Sequence, residues 1–183
     1  MRTIIALTGA SGALFGLETI RNCPGEKYII ASKWGKSVLA QETGTTLEQL
    51  APYSKKVFAN DDLSSPLASG SNAFDAMVIV PCSASTLSKI ACGIADSLIT
   101  RAASVALKER RKLILCLRET PLSTITLEQM FKLSQAGAIV MPISPSFYQD
   151  ANTLQDLAKL FAERVCQQID PQYVITGWKA HSL

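Results

Sequence analysis

The stretch from Arg101 to Leu122, RAASVALKERRKLILCLRETPL, most constrains how this chain can fold. Apolar residues at helical spacing indicate a helix that closes on a basic end near Lys108, and Leu113–Leu117 predicts a short buried strand. Arg118 and Glu119 follow that strand directly. If the strand belongs to a parallel sheet, both charges lie at its carboxyl edge, where open α/β sheets bind ligands. Taken alone, the same pair fits a solvated turn with an exposed ion pair equally well.

The rest of the chain breaks this tie because it alternates strands and helices throughout. Apolar runs of strand length predict strands at Arg2–Thr8, Tyr28–Ala31, Lys56–Phe58, Ala76–Val80, Leu113–Leu117 and Ala138–Met141. Helical patterns occur at Leu14–Asn22, Gly35–Glu42, Ser83–Cys92, Ser97–Glu109, Thr126–Gln135 and Thr153–Ile169. No repeat or composition break interrupts the pattern. We therefore expect an α/β fold in which residues 1–183 form a single domain with a mostly parallel, doubly wound sheet, and residues after about 170 form an extended tail.

Composition narrows the class of protein. With 183 residues and 48% hydrophobic residues, the chain can bury a core as one domain. A net charge of +3 is too small to call for nucleic acid or an anionic membrane as partner. The five cysteines are odd in number and none shows CxxC spacing, which favours reduced thiols in a cytoplasmic protein. The single histidine, His181, leaves histidine-based metal sites and catalytic triads poorly supported, so no metal is expected.

The turn after the first strand is a candidate anion site. Gly9, Ala10 and Ser11 join this strand to the first helix, and free N–H groups at a helix start attract phosphates. The spacing is not GxGxxG, because the last glycine is Gly16, so a mononucleotide or substrate phosphate is favoured over a dinucleotide. The alternative is a tight turn that merely needs small residues.

A second turn with the same character follows the fourth predicted strand, which we expect Pro81 to end. Ser83 or Ser85 can cap the next helix while binding a ligand, although an ordinary serine cap is the alternative. The polar loop 60–72 is long for a compact domain and contains further hydroxyl residues. Glu42, Tyr148 and Arg164 are candidates too, but each also fits a solvated or packing role.

Taken together, these segments resemble the flavin prenyltransferase (UbiX-like) family, within the homo-oligomeric flavin-containing Cys decarboxylase-like group. The matching pieces are TGASGA, ETGTTLEQL, ASGS, VIVPCSASTLSKIACGIADSLITRAASVALKERR, LILCLRETPL and MPISPSFY, which lie in order between residues 8 and 148. The resemblance implies a flavodoxin/Rossmann-like three-layer αβα sandwich, and FMN bound at a subunit interface of a homo-oligomer such as a dodecamer. It also implies transfer of a dimethylallyl group from dimethylallyl phosphate to N5 and then C6 of reduced FMN. The product would serve a UbiD-type decarboxylase, for example in ubiquinone biosynthesis.

The resemblance also implies roles for particular residues. FMN would contact a first set, namely Gly9, Ala10, Ser11, Ser32, Ser83, Ala84, Ser85, Thr86 and Arg118. Dimethylallyl phosphate would be held by Lys108, Tyr148 and Arg164, which suit a departing phosphate because cations and hydroxyl donors neutralise its charge. Glu42 and Glu119 would serve the proton transfers.

The chain departs from the family pattern at four positions. Ser104, Thr126 and Ala151 replace an aspartate, a histidine and a proline, and we expect these three changes to affect the structure and not the chemistry of the site. Leu63 stands where some members carry a tryptophan that would face the allylic cation. Two rival functions remain open, an FMN-dependent cysteine-type decarboxylase and a non-catalytic flavin-binding assembly subunit. The decarboxylase is disfavoured because enzymes of that kind use an active-site histidine early in the chain, whereas the single histidine here is His181.

Overall fold

Six parallel strands form one sheet in the computed structural model, which describes residues 1–175 and Gly177. The sheet order is β3-β2-β1-β4-β5-β6, and every described pairing is parallel. The strands are β1 (Arg2–Leu7), β2 (Glu26–Ala31), β3 (Lys56–Ala59), β4 (Ala76–Cys82), β5 (Lys112–Leu117) and β6 (Ile139–Val140). From β1 the chain adds β2 and β3 on one side of the sheet, and from β4 it adds β5 and β6 on the other side. Folds of this kind bind ligands in the crevice at the carboxyl ends of the two strands where the direction changes, here β1 and β4.

Six α-helices among the described residues cover the two faces of the sheet. They are α1 (Ala13–Asn22), α2 (Lys33–Thr43), α3 (Ala84–Ala91), α4 (Leu98–Lys108), α5 (Thr124–Gln135) and α6 (Leu154–Ile169). Side chains alternate across a strand, so Ile4 joins a core with α3 and α4, whereas Ile5 joins a core with α1 and α6. Because both faces are covered, the central strands are buried along almost their whole length. No helix among the described residues has the length and hydrophobicity needed to span a membrane.

The predicted elements are confirmed within about two residues at their ends, which is the usual uncertainty of such boundaries. One expectation is wrong: Pro81 does not end the fourth strand, because β4 continues to Cys82. A proline lacks the N–H that a central strand donates. Here the pairing with β5 shifts register between Ile79 and Cys82, and the Pro81 carbonyl accepts two hydrogen bonds from Thr8. The expected C-terminal tail lies partly outside the described residues.

Candidate functional site at the carboxyl edge of the sheet

Thr8 links the two turns that flank the crevice. Its hydroxyl donates to the Pro81 carbonyl at 2.8 Å and accepts from the Ser83 N–H at 2.8 Å. The Thr8 N–H also donates to the Pro81 carbonyl at 3.2 Å. The turns after β1 and β4, about seventy residues apart along the chain, therefore form one unit at the edge of the sheet.

A polar pocket of about 250 Å³ lies beside this unit. The N-terminal ends of three helices meet there, because the capping residues of α2, α3 and α4 all line it: Ser32, Ser83 and Ser97. Each helix start carries a partial positive charge, so the pocket suits an anion. Gly9 lines the same pocket at a point where a Cβ would lie only 2.4 Å from Trp34 Cβ, so a larger residue cannot replace it without displacing Trp34.

Hydroxyl groups dominate the wall formed by the start of α3. Ser83 Oγ accepts from the Thr86 N–H at 3.3 Å and lies 3.0 Å from Thr86 Oγ1 and 3.3 Å from Ser85 Oγ. The structure thus brings five of the predicted flavin contacts to one pocket: Gly9, Ser32, Ser83, Ser85 and Thr86. Ala84 begins α3 and packs against the core, and Ala10 is buried within the first turn. Hydroxyls and helix N-termini of this kind fit the phosphate of FMN.

The first turn of α1 is occupied by Glu42. One carboxylate oxygen of this α2 residue accepts from the N–H groups of Gly12 and Ala13 at 2.9 and 2.8 Å. Partial burial raises the pKa of the Glu42 carboxyl, but hydrogen bonds from Ser11, Ala13 and Gly12 and the charge of Arg118 outweigh it, so the pKa lies below its usual range. The N-terminus of α1, which the sequence suggested as an anion site, therefore already holds a carboxylate of the chain itself.

A second, more apolar pocket of about 500 Å³ lies on the other side of the same turn. Ser11, Glu42 and Arg118 supply its polar groups, and the remaining lining residues are Gly12, Leu14, Phe15, Ile143, Pro145 and Leu154. Arg118 is exposed, and its N–H donates to the Cys82 carbonyl at 3.0 Å, which fixes the start of the β5 turn against β4. The pocket can bury a small hydrocarbon group beside one cation and one anion.

Tyr148 and Arg164 meet at a third pocket, of about 250 Å³, between the loop after β6 and helix α6. Pro145 lines both this pocket and the apolar one, so the two are neighbours. The Arg164 guanidinium donates to Gln167 on the same helix. Two of the three predicted contacts to dimethylallyl phosphate are thus brought together.

The remaining predicted residues lie apart from these pockets. Glu119 is exposed beyond β5, where its carboxylate accepts from the Thr120 N–H at 3.2 Å. Lys108 ends α4, just before β5, and pairs there with Glu109. Lys108 precedes β5 and Arg118 follows it. Because a six-residue strand spans about 20 Å, Lys108 lies at the amino ends of the strands and Arg118 at their carboxyl ends. Within one chain, Lys108 cannot share a site with Tyr148 and Arg164.

Seven residues that line the polar pocket were not candidates in the sequence analysis: Trp34, Asn60, Lys89, Asp96, Ser97, Ile99 and Thr100. Asn60 directly follows β3, so the rule that ligands bind at strand carboxyl ends could have found it. It caps α4, since its carbonyl accepts from Leu98 and its side chain from Ile99. Lys89 and Asp96 form an ion pair at 2.6 Å, which no local pattern reveals because it joins α3 to the segment before α4.

The described part of the chain contains no group of three or more histidine, cysteine, aspartate or glutamate residues able to hold a metal ion. His181 lies outside the described residues. Among the four departures from the family pattern, Thr126 is buried and its hydroxyl lies 3.0 Å from Ser123 at the start of α5, which fits the structural role expected of it. Leu63 is about half exposed and lines none of the three pockets.

Comparison with known proteins identifies the family of this chain. The model of the Flavoprotein family matches residues 1–166. The flavin prenyltransferase UbiX of Thermoplasma acidophilum is 44% identical over 166 residues, covering 90% of this chain and 92% of its own. The crystal structure of AnUbiX (PadA1) in complex with FMN and dimethylallyl pyrophosphate superposes with a TM-score of 0.91 at 36% identity, covering 97% and 98% of the two chains. A dodecameric FMN-dependent UbiX-like decarboxylase from Escherichia coli O157:H7 gives 0.89 at 37% identity, covering 97% and 100%.

The fold is that of a flavoprotein, and the chain belongs to the Flavoprotein family. Within that family it belongs to the UbiX flavin prenyltransferases. The expected α/β fold, the flavin as ligand and the enzyme class are confirmed.

Proposed function

We propose that this protein transfers the dimethylallyl group of dimethylallyl phosphate to reduced FMN, forming prenylated FMN. The observation that carries the proposal is the position of the β1–α1 turn. This turn separates a polar pocket suited to a phosphate from an apolar pocket suited to a small hydrocarbon. The proposal is also supported by AnUbiX (PadA1), which was crystallised with FMN and dimethylallyl pyrophosphate.

The flavin would be held by the polar pocket. Its phosphate would accept hydrogen bonds from hydroxyls of Ser32, Ser83, Ser85 and Thr86 and from N–H groups at the helix starts. When bound, reduced FMN supplies the nucleophilic ring to which the prenyl group is added. Gly9 lines the same pocket and leaves room for Trp34, whose Cβ would lie 2.4 Å from a Cβ at position 9.

The donor would occupy the apolar pocket with its phosphate directed towards cationic groups. Arg118 borders this pocket, and Arg164 and Tyr148 border the neighbouring one. Cations and hydroxyl donors placed at a departing phosphate stabilise the charge that develops as the C–O bond breaks. Glu119 lies at the end of β5 beside Arg118, and we assign to it, as the sequence suggested, a proton transfer during ring closure.

Lys108 can take part only if a second copy of the chain supplies it, because it lies at the opposite edge of its own sheet. Self-association is supported by an apolar surface on α5, where Leu127 and Phe131, four residues apart on one face of the helix, are 49% and 65% exposed. Monomeric proteins rarely leave such side chains uncovered in a cluster. A dodecamer is known for the similar Escherichia coli protein. We therefore place the complete site at an interface between copies.

The product would be delivered to a UbiD-type decarboxylase, whose own substrate decides the pathway served. A cytoplasmic location belongs to the same proposal and is supported by the cysteines, all of which are free and four of which are buried.

The decisive test is anaerobic incubation of the protein with reduced FMN and dimethylallyl phosphate, followed by mass analysis of the released flavin. We expect a flavin heavier by one C5H8 unit. Unmodified FMN, with the flavin bound and the donor intact, would contradict the proposal and favour the assembly-subunit alternative. Release of carbon dioxide from a peptide with a C-terminal cysteine would favour the decarboxylase.

A further inference from the structure

Trp34 is a large apolar side chain that the described residues leave uncovered. It lies in the first turn of α2, two residues after the capping Ser32, and is 67% exposed. Its Cβ packs so closely on the β1–α1 turn that only a glycine fits at position 9. The base of the side chain is therefore fixed while its ring remains accessible.

The indole borders the polar pocket and differs from the rest of its wall. Trp34 is the one aromatic residue that lines this pocket within the described chain, and Ile99 is the other large apolar residue there. Most of the other lining residues carry hydroxyl groups, and three of them cap the starts of helices. A ligand that fills the pocket can therefore contact both polar groups and an aromatic ring.

This combination matches a flavin nucleotide, which has an anionic phosphate and a planar three-ring system. We infer that Trp34 is a flavin-contacting residue whose indole stacks on the isoalloxazine ring, an inference that rests on the proposed function. Stacked aromatic rings attract each other beyond the area they bury. The ammonium group of Lys33 lies 5.7 Å from the centroid of the Trp34 ring.

The experiment measures binding of oxidised FMN and of riboflavin to the full-length protein and its Trp34→Ala and Trp34→Phe variants. Calorimetry gives the dissociation constants, and the emission of the bound flavin gives a contact signal, because an indole in contact with an excited flavin quenches it by electron transfer. We expect Trp34→Ala to weaken both ligands by about tenfold and to restore emission of bound flavin. Trp34→Phe should keep most of the affinity. Tyr53→Ala, at another exposed aromatic residue, is the matched control.

Each other result overturns the inference. Unchanged affinity and emission in Trp34→Ala would show that the ring does not touch the flavin. Weaker FMN binding with unchanged riboflavin binding would place the indole at the phosphate. A changed oligomeric state with unchanged affinity would mean that a second copy covers Trp34. If the wild-type protein bound no flavin, the proposed function would fail first, which separates that failure from the failure of the stacking contact.

Discussion

Glu42 offers a sharp test of how the site is built, because its carboxylate occupies the start of α1, where a bound anion could otherwise lie. We predict that Glu42→Gln and Glu42→Ala destabilise the protein by different amounts. Gln keeps an oxygen acceptor for the Gly12 and Ala13 N–H groups but removes the charge. Ala removes both the charge and the acceptor.

The magnitudes follow from these two losses. A charge at a helix N-terminus contributes about 0.3–1 kcal/mol, so Glu42→Gln should lower the free energy of unfolding by about 0.5 kcal/mol. Losing a capping acceptor costs about 0.5–2 kcal/mol, so Glu42→Ala should lower it by about 1–2 kcal/mol in total. Either variant remains folded. Any loss of prenylation then reports on the site and not on unfolding.

The assay is urea denaturation at a series of pH values. The Glu42 pKa is lowered in the folded state, so the ionised carboxylate stabilises the fold. That contribution is fully present above the pKa of an unfolded glutamate, about 4.3, and is lost as the pH falls through the lower folded-state value. The stability gap between wild type and Glu42→Gln should therefore be constant near neutral pH and close in acid.

A gap that stays constant down to the acid limit would refute this reasoning, because it would mean that the charge of Glu42 does not act on the helix start. Equal stabilities for wild type and Glu42→Ala at neutral pH would do the same. Glu128→Gln, at an exposed residue of α5, serves as the control and should show no such gap.

Three further outcomes are expected. Glu119→Gln should bind FMN almost normally but slow single-turnover prenylation by about 10²-fold or more, as for loss of a general acid or base; a wild-type rate with FMN bound would refute the proton-transfer role. Phe131→Glu should shift the protein to smaller assemblies in light scattering and lower its prenylation rate, whereas an unchanged assembly would exclude the α5 surface from the interface. Gly16→Ala should lower the free energy of unfolding by about 1–3 kcal/mol in urea denaturation, because its new Cβ would lie 2.5 Å from Leu7 and from the Val80 carbonyl; the control is Gly177→Ala, whose Cβ would meet no described residue within 4 Å.

The sequence by itself determined the elements and the edge of the sheet on which the site lies. Hydrophobic periodicity is a local property, so it predicted nearly every strand and helix. Because all strands are parallel, their carboxyl ends share one edge, and the order of strands and turns along the chain was enough to assign Gly9, Ser83 and Arg118 to it. The resemblance then supplied what local patterns could not, namely the flavin and the transferred group.

Only the tertiary structure decided which of these groups touch one another. Glu42 contacts the start of α1, which lies about thirty residues away in the sequence, and Thr8 joins two turns that lie more than seventy residues apart. Both contacts depend on how the helices pack against the sheet. The close approach of Trp34 to the first turn has the same origin. The structure also separated Lys108 from Arg118, although only ten positions divide them, because the intervening strand carries the chain from one edge of the sheet to the other.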